Sequence, residues 1–111
     1  MIEKTILDFL KTQLTEPVHL EKPGTAPARY VVFEKTGGRG SNGLLSSTFA
    51  FQSYAESLYE AAALNERVKT AVHDLITLDV IGSVRLNNDY NFTDTITKKY
   101  RYQAVYDITH Y

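Results

Sequence analysis

The sequence contains no cysteine, carries almost no net charge and has no long uninterrupted hydrophobic run. The absence of cysteine excludes disulfides, thiolate nucleophiles and sulfur-ligated zinc. A formal net charge of -1 removes any general attraction to nucleic-acid phosphates. Charged residues interrupt the apolar positions of residues 1–14. We therefore expect neither a signal peptide nor a membrane span, and we expect the chain to stay in the cytoplasm of the cell that makes it.

Residue patterns for catalysis or metal binding are also missing. His19, His73 and His110 share no ligand spacing with one another or with a nearby carboxylate, and each is expected at the surface or at a sheet edge. No serine lies in a GxSxG elbow or has an evident acid-base partner. We therefore predict a protein with no enzymatic activity, no catalytic residue, no cofactor and no metal.

The composition is typical of one globular domain. The chain has 111 residues, of which 43% are hydrophobic and 23% are charged. A chain of this size and composition forms one hydrophobic core, so we assign residues 1–111 to a single domain.

Apolar residues at helical spacing predict two helices. Residues 2–15 carry one apolar stripe, and Pro17 ends this helix. A longer helix begins near two capping-box patterns, which start at Ser53 and Ser57, and it continues to Ile76.

Alternating or β-branched segments predict five strands. They are a short strand after Pro17 and strands over residues 29–36, 44–53, 80–88 and 98–111. In the last strand the predicted buried face, packed against the long helix, consists of Tyr102, Ala104, Tyr106 and Ile108. Residues 88–95 are predicted as a polar loop.

The resulting element order is α-β-β-β-α-β-β. Neighbouring strands joined by hairpins form antiparallel pairs, and two helices cover the apolar face of such a sheet. The predicted fold class is α+β, with a mostly antiparallel sheet of four to five strands and two helices packed on one face.

The glycine-rich residues 37–43 contain GxGxxG, which resembles a dinucleotide-binding fingerprint. That fingerprint requires a helix directly after the glycines and an acidic residue at the end of the next strand. Here a strand follows the glycines, so we reject a cofactor site. We interpret the stretch as a flexible hairpin connection, or as a loop that becomes ordered against a partner, and we expect residues 36–43 to be mobile in the isolated chain.

Tyrosine is more abundant than a core of this size needs, with eight residues. Tyrosine suits surfaces where a ring is buried while its hydroxyl stays near water, as in self-association or partner binding. One alternative therefore remains open: a small non-enzymatic domain that binds a ligand or a nucleic acid through a tyrosine-bearing sheet.

Three segments together resemble a known family. They are ARYVVFEKTGG (28–38), TFAFQSYAESLYEAAALNERVKTAVHDL (48–75) and NDYNFTDTITKKYRYQAVYDITHY (88–111). In their order and spacing the chain is similar to small tail-completion proteins of long-tailed bacteriophages and prophages, often labelled tail terminator, head-to-tail joining or minor capsid protein. The resemblance covers nearly the whole chain and leaves these roles as alternatives.

The resemblance implies a structural virion protein, made in the bacterial host cytoplasm, whose copies assemble into a ring, commonly a hexamer. Such a ring closes the head-proximal end of the tail tube, limits polymerisation of the tail-tube protein and docks to head-connector proteins. DNA passes through its centre without sequence-specific binding, and no membrane is involved. We predict that contacts with other subunits or with the tail tube use Arg39, Asn42, Leu44, Leu45, Tyr90 and Phe92.

Overall fold

The described part of the chain forms two helices and five strands in the order that the sequence predicts. The computed structural model describes residues 1–41 and 43–111, with Ser41 described by its backbone alone. The elements are α1 (Ile2–Gln13), β1 (Val18–His19), β2 (Tyr30–Ser41), β3 (Leu44–Ala55), α2 (Leu58–His73), β4 (Ile81–Asn91) and β5 (Tyr100–His110). A 3₁₀ turn, Asp74–Thr77, follows α2.

The strands form one sheet with the order β1-β2-β3-β5-β4. The pairs β2–β3, β3–β5 and β4–β5 are antiparallel, whereas β1 pairs with β2 in parallel. The predicted α+β class is therefore confirmed, and the sheet is mixed. A parallel pair needs a connection longer than a hairpin, and residues 20–29 supply it between β1 and β2.

The helix ends show where local sequence signals are sufficient. The hydroxyl of Ser57 accepts a hydrogen bond from the Glu60 backbone N–H at 3.2 Å, so the second capping box is confirmed. The first box is wrong because Ser53 lies inside β3, where it pairs with β5. In α1 the helix ends at Gln13, two residues earlier than predicted, because Leu14 adopts an extended conformation.

The core lies between the two helices and one face of the sheet. α1 contributes Ile6 and Leu10, and the sheet contributes Phe33, Phe49 and Phe51, whose rings contact one another. All five side chains are fully buried. Each such side chain stabilises the fold by about 1.5–3 kcal/mol through removal of apolar surface from water.

The last strand has the predicted alternation. Ala104, Tyr106 and Ile108 are fully buried in the core. Tyr102 is only half buried and lies opposite Asn91, the last residue of β4. The predicted buried face is therefore confirmed for three of its four residues.

The predicted loop is wrong for residues 37–41, because β2 continues through these glycines. Residues 37–41 pair one for one with residues 44–48 of β3, and Gly43 follows in the turn with φ of +79°. β3 is itself paired with β5, so its backbone groups are fixed partners for β2. This pairing overcomes the low strand preference of glycine. The predicted mobility of residues 36–43 in the isolated chain stays a prediction, and Asn42 lies outside the described residues.

The predicted polar loop at residues 88–95 is wrong in its first half. β4 continues to Asn91 because β5 offers partners over that length, and two register shifts in β4 accommodate the irregular sequence. In the second half, the carboxylate of Asp94 accepts hydrogen bonds from the backbone N–H groups of Ile96 and Thr97 at 3.0 and 3.3 Å. These bonds define the turn between β4 and β5.

The sheet face opposite the helices, here called the open face, has a small apolar cluster of its own. The rings of Tyr30 and Tyr54 stack with centroids 4.5 Å apart, and Val32 completes the cluster. The connection between β1 and β2 reaches this cluster, where Lys22 Nζ lies 6.0 Å from the centroid of the Tyr54 ring.

Candidate interaction surfaces

The described residues contain one serine–histidine pair and no group of three or more His, Asp or Glu side chains that could hold a metal ion. Ser47 Oγ and His110 Nε2 lie 2.8 Å apart. His110 is buried, so its predicted surface or edge position is wrong. The two residues are 63 positions apart, and only the pairing of β3 with β5 brings them together. No local sequence signal reports such a pair.

The environment of this pair makes it a structural contact. Burial lowers the pKa of His110, and the nearby Lys35 ammonium lowers that pKa further. The imidazole is therefore neutral near pH 7. Ser47 and His110 are only 1% and 4% exposed, whereas a catalytic nucleophile must reach its substrate. The hydrogen bond holds two strands of the core together.

A second feature is the free outer edge of β2. Since β1 pairs with only two residues of β2, the described chain supplies no partner strand to this edge from Phe33 onward. The free edge includes Gly37, Gly38, Arg39 and Gly40. We call these four residues the glycine edge. None of these glycines has a positive φ, so the backbone does not require glycine there. The side chains of Lys35 and Leu45 fill the space where a Cβ atom at Gly38 or Gly40 would lie, whereas a Cβ atom at Gly37 would have room. The backbone at Gly37 is therefore the part of this edge that another chain can approach closely.

Exposed apolar side chains lie at the same end of the sheet as the glycine edge. Leu44 and Leu45 begin β3. Tyr111 follows β5 and Val80 precedes β4, and the Tyr111 backbone N–H donates a hydrogen bond to the Val80 carbonyl oxygen at 3.0 Å. The exposed fractions of these four residues are 38%, 46%, 72% and 44%, respectively. We call them the apolar end. Clustered exposed apolar side chains typically mark an interaction site.

Three of the six predicted interface residues meet at this surface. Arg39, Leu44 and Leu45 line one cavity of about 200 Å³ together with Gly40. Asn42, also predicted as an interface residue, lies outside the described residues.

The other two predicted interface residues lie at the far end of the sheet. The rings of Tyr90 and Phe92 meet edge to face with centroids 5.7 Å apart, and the Arg101 guanidinium lies 4.3 Å from the Phe92 centroid. Tyr90 pairs with Gln103, whereas the apolar end adjoins His110 in the same strand. At about 3.3 Å per residue, these two levels are roughly 23 Å apart. The predicted residues therefore form two separate surfaces.

The open face also carries a polar groove that the sequence did not reveal. It has a volume of about 440 Å³, and its lining includes Arg39, Arg85 and Asp107. Asn87 and Thr48 donate hydrogen bonds to the Asp107 carboxylate at 2.9 and 2.7 Å, and together with the two arginines they lower its pKa. Strand alternation predicts which residues share a face, but the register that joins β4 to β5 appears only in the structure.

Three of the eight tyrosines are buried in the fold. Tyr30, Tyr54 and Tyr106 are each at most 5% exposed. The hydroxyl of Tyr54 accepts a hydrogen bond from Arg101 at 2.9 Å and donates one to Gln52 at 3.3 Å. The packing of these three rings therefore stabilises the fold.

Comparison with models of known protein families finds no match to the chain, and comparison with characterised proteins finds no significant match. Within residues 1–41 and 43–111, no helix has the length and apolar character needed to cross a membrane.

Proposed function

We propose that the chain is a non-enzymatic subunit of a ring that completes the tail of a long-tailed bacteriophage, as a tail terminator or head-to-tail joining protein. The observation that carries the proposal is the glycine edge, to which no other strand of the described residues is paired, at the same end of the sheet as the apolar end. A soluble protein normally protects a long strand edge with charges, proline or a covering segment. An edge of three glycines beside four exposed apolar side chains is suited to being covered by another subunit.

The positions of the two predicted surfaces suit a head-to-tail contact. The subunit is elongated, with extents of 44 × 25 × 24 Å. The apolar end and the Tyr90–Phe92 pair differ chemically and lie at opposite ends of the sheet. Unlike surfaces form heterologous contacts, which close into a ring when the rotation between subunits permits it. We infer that each copy binds its neighbour in this way.

In the proposed role, the ring caps the tail tube and binds the head connector within the virion. Its partners are copies of itself, the tail-tube protein and head-connector proteins. The formal net charge of -1 suits a channel through which DNA passes, because a strongly basic lining would retain the DNA. The alternative role, ligand or nucleic-acid binding through a tyrosine-bearing sheet, gains no support from the buried rings.

The proposal is tested by the double variant Leu44→Asp/Leu45→Asp. We expect native mass spectrometry and analytical ultracentrifugation to detect rings of the native chain, alone or with the tail-tube protein of the same gene cluster, and to detect only monomers of the variant. In a phage that lacks the gene, the native chain is expected to restore infectious yield and uniform tail length, whereas the variant is not.

A matched control is Leu20→Asp, because Leu20 has the same 38% exposure as Leu44 and lies beside β1. This variant is expected to assemble and to complement normally. Circular dichroism should show that all variants are folded. Failure of the native chain to assemble with the tail-tube protein or to complement the phage would disprove the proposed function.

A further inference from the structure

A small cavity with mostly apolar walls lies on the open face, at the stacked rings of Tyr30 and Tyr54. Its volume is about 220 Å³, and its other walls come chiefly from the β1–β2 connection and from the start of β5. The connection contributes Ala26, Pro27 and Ala28, all three of which are exposed. The cavity is therefore open to solvent, and a side chain of another molecule can enter it.

The cavity and the apolar end lie at opposite ends of the subunit. Tyr100 begins β5 and lines the cavity, whereas His110 ends the same strand next to Tyr111 of the apolar end. Ten residues of strand, at about 3.3 Å each, separate these two levels by roughly 33 Å. One copy therefore cannot place its own apolar end in its own cavity.

The cavity is continuous with the Tyr90–Phe92 pair, which the proposed function places in the contact between copies. The Arg101 guanidinium lies 5.7 Å from the centroid of the Tyr54 ring and 4.3 Å from that of the Phe92 ring. Arg101 also donates hydrogen bonds to the Tyr54 hydroxyl at 2.9 Å and to the Phe92 carbonyl oxygen at 2.6 Å. One surface at this end of the sheet therefore combines the cavity with the aromatic pair.

The uncompensated charges at the cavity are positive. Lys98 and Lys99 belong to its lining, and within the described residues neither ammonium group forms an ion pair. Glu56 also belongs to the lining, but its carboxylate accepts hydrogen bonds from Arg29 Nε at 2.9 and 3.1 Å. An apolar cavity with two basic side chains in its lining suits an apolar side chain that has a carboxylate beside it.

The apolar end supplies such a side chain. Of its four residues, Val80 alone is next to an acidic residue in the sequence, Asp79. Val80 is 44% exposed, and Asp79 is exposed as well. In the part of the chain that the structure describes, the Asp79 carboxylate forms no ion pair. Both side chains are therefore available to a second copy.

We propose that Val80 of one copy enters the cavity of a second copy, where the Asp79 carboxylate pairs with Lys98 and Lys99. This inference rests on the proposed function, because it names a contact by which the copies join head to tail. The cavity is smaller than the roughly 300–1,000 Å³ of sites for drug-sized ligands, so it accommodates a side chain better than a free ligand. Since Val80 and the cavity lie at opposite ends, each copy gives one contact and accepts another, as a heterologous ring requires.

The absence of cysteine from the chain allows a direct test by disulfide formation. Ala26→Cys and Val80→Cys are prepared as separate chains, then mixed and oxidised. A covalent dimer is expected in non-reducing gel electrophoresis of the mixture and of neither chain alone. A disulfide needs Cα atoms within about 7 Å of each other, so a chain that carries both substitutions can only bridge to other copies, and it is expected to give a ladder of covalent oligomers.

The control for this test replaces Ala26→Cys by Leu20→Cys. Leu20 is also exposed, but it does not line the cavity. Its mixture with Val80→Cys is expected to give no dimer above the background of the single chains.

A charge exchange tests the ionic part of the contact. Asp79→Lys and Lys98→Glu/Lys99→Glu are each expected to weaken self-association about tenfold or more in analytical ultracentrifugation, because like charges then face each other. A chain with all three substitutions is expected to associate nearly as well as the native chain. Glu21→Lys makes the same change of charge at an exposed position outside the cavity lining and is expected to have no effect.

The outcomes separate this contact from the proposed function. Normal rings without a bridge between the two cysteines, or a charge exchange that does not restore association, would overturn the contact and leave the proposed function intact. Efficient bridging of Val80→Cys to itself would also overturn it, because it would identify a symmetric contact between two apolar ends. Failure of the native chain to assemble or to complement the phage would reject the contact together with the proposed function.

Discussion

Ser47 Oγ lies 2.8 Å from His110 Nε2, and this hydrogen bond joins two buried residues of adjacent strands. Burial and the Lys35 ammonium lower the pKa of His110, while Glu3 opposes the shift. Protonation of His110 would place a second positive charge near the Lys35 ammonium, on the core side of the sheet. The fold therefore favours the neutral imidazole, because burial disfavours its positive charge.

The first prediction concerns the pH dependence of stability. Because the pKa of His110 is lower in the folded chain than the ordinary value of 6.5, the unfolded chain binds the proton more readily. The stabilising contribution is complete above about pH 6.5 and declines as the pH falls toward the folded pKa. In urea denaturation between pH 7.5 and 5, the native chain is expected to lose more stability than His110→Gln.

The comparison variant for this prediction is His73→Gln, which removes an exposed imidazole from the end of α2. It measures how the loss of a histidine elsewhere in the chain changes the dependence of stability on pH. Equal pH profiles for the native chain and His110→Gln would show that His110 titrates alike in both states, and the argument from its burial would then be wrong.

The second prediction concerns the core. Ile108 is fully buried, so Ile108→Ala is expected to cost about 2–5 kcal/mol in the free energy of unfolding. Ile96 is 91% exposed, and Ile96→Ala is expected to change that free energy by less than about 0.5 kcal/mol. Similar denaturation midpoints for the two variants would place Ile108 outside the core.

The sequence was sufficient for the element order and for most of the β5 face, because helical spacing and strict alternation are local properties. It failed at residues 37–41, where a segment with three glycines becomes a strand because β3 is already held by β5. It failed again at Ser53, a capping residue by pattern, which lies within a strand. Both errors arise where pairing between distant segments overrides local preference.

The third prediction compares two buried tyrosines. Within the described residues, the Tyr106 hydroxyl has no hydrogen-bond partner, and burial raises its pKa. Tyr106→Phe removes a buried unpaired group, so this variant is expected to be as stable as the native chain or about 1 kcal/mol more stable. Tyr54→Phe, which loses bonds to Arg101 and Gln52, is expected to cost about 1 kcal/mol. Thermal denaturation of both variants is the measurement, and a marked loss of stability in Tyr106→Phe would show that its hydroxyl has a partner.

The candidate surfaces were predictable only in part. Hydrophobicity beside a glycine-rich segment was enough to select Leu44 and Leu45, and the structure joins them to Val80 and Tyr111 at the apolar end. Those two partners could not be found from the sequence because they come from the ends of other strands.

The last prediction tests why the free edge of β2 contains three glycines. A Cβ atom at Gly37 would lie 4.0 Å from the nearest side-chain atom, Thr48 Cβ, and the residue has no positive φ. The isolated chain therefore has room for Gly37→Val, and it gains about 0.5–1 kcal/mol in stability because valine loses less conformational freedom on folding than glycine. If the edge is bare in order to admit a neighbouring subunit, the same side chain blocks assembly. Urea denaturation is expected to show a more stable monomer, while ultracentrifugation and tail complementation show lost assembly.

Gly24→Val, at a position with open space in the β1–β2 connection, is the control and should assemble normally. Normal rings and normal tail length from Gly37→Val would mean that no partner contacts the glycine edge.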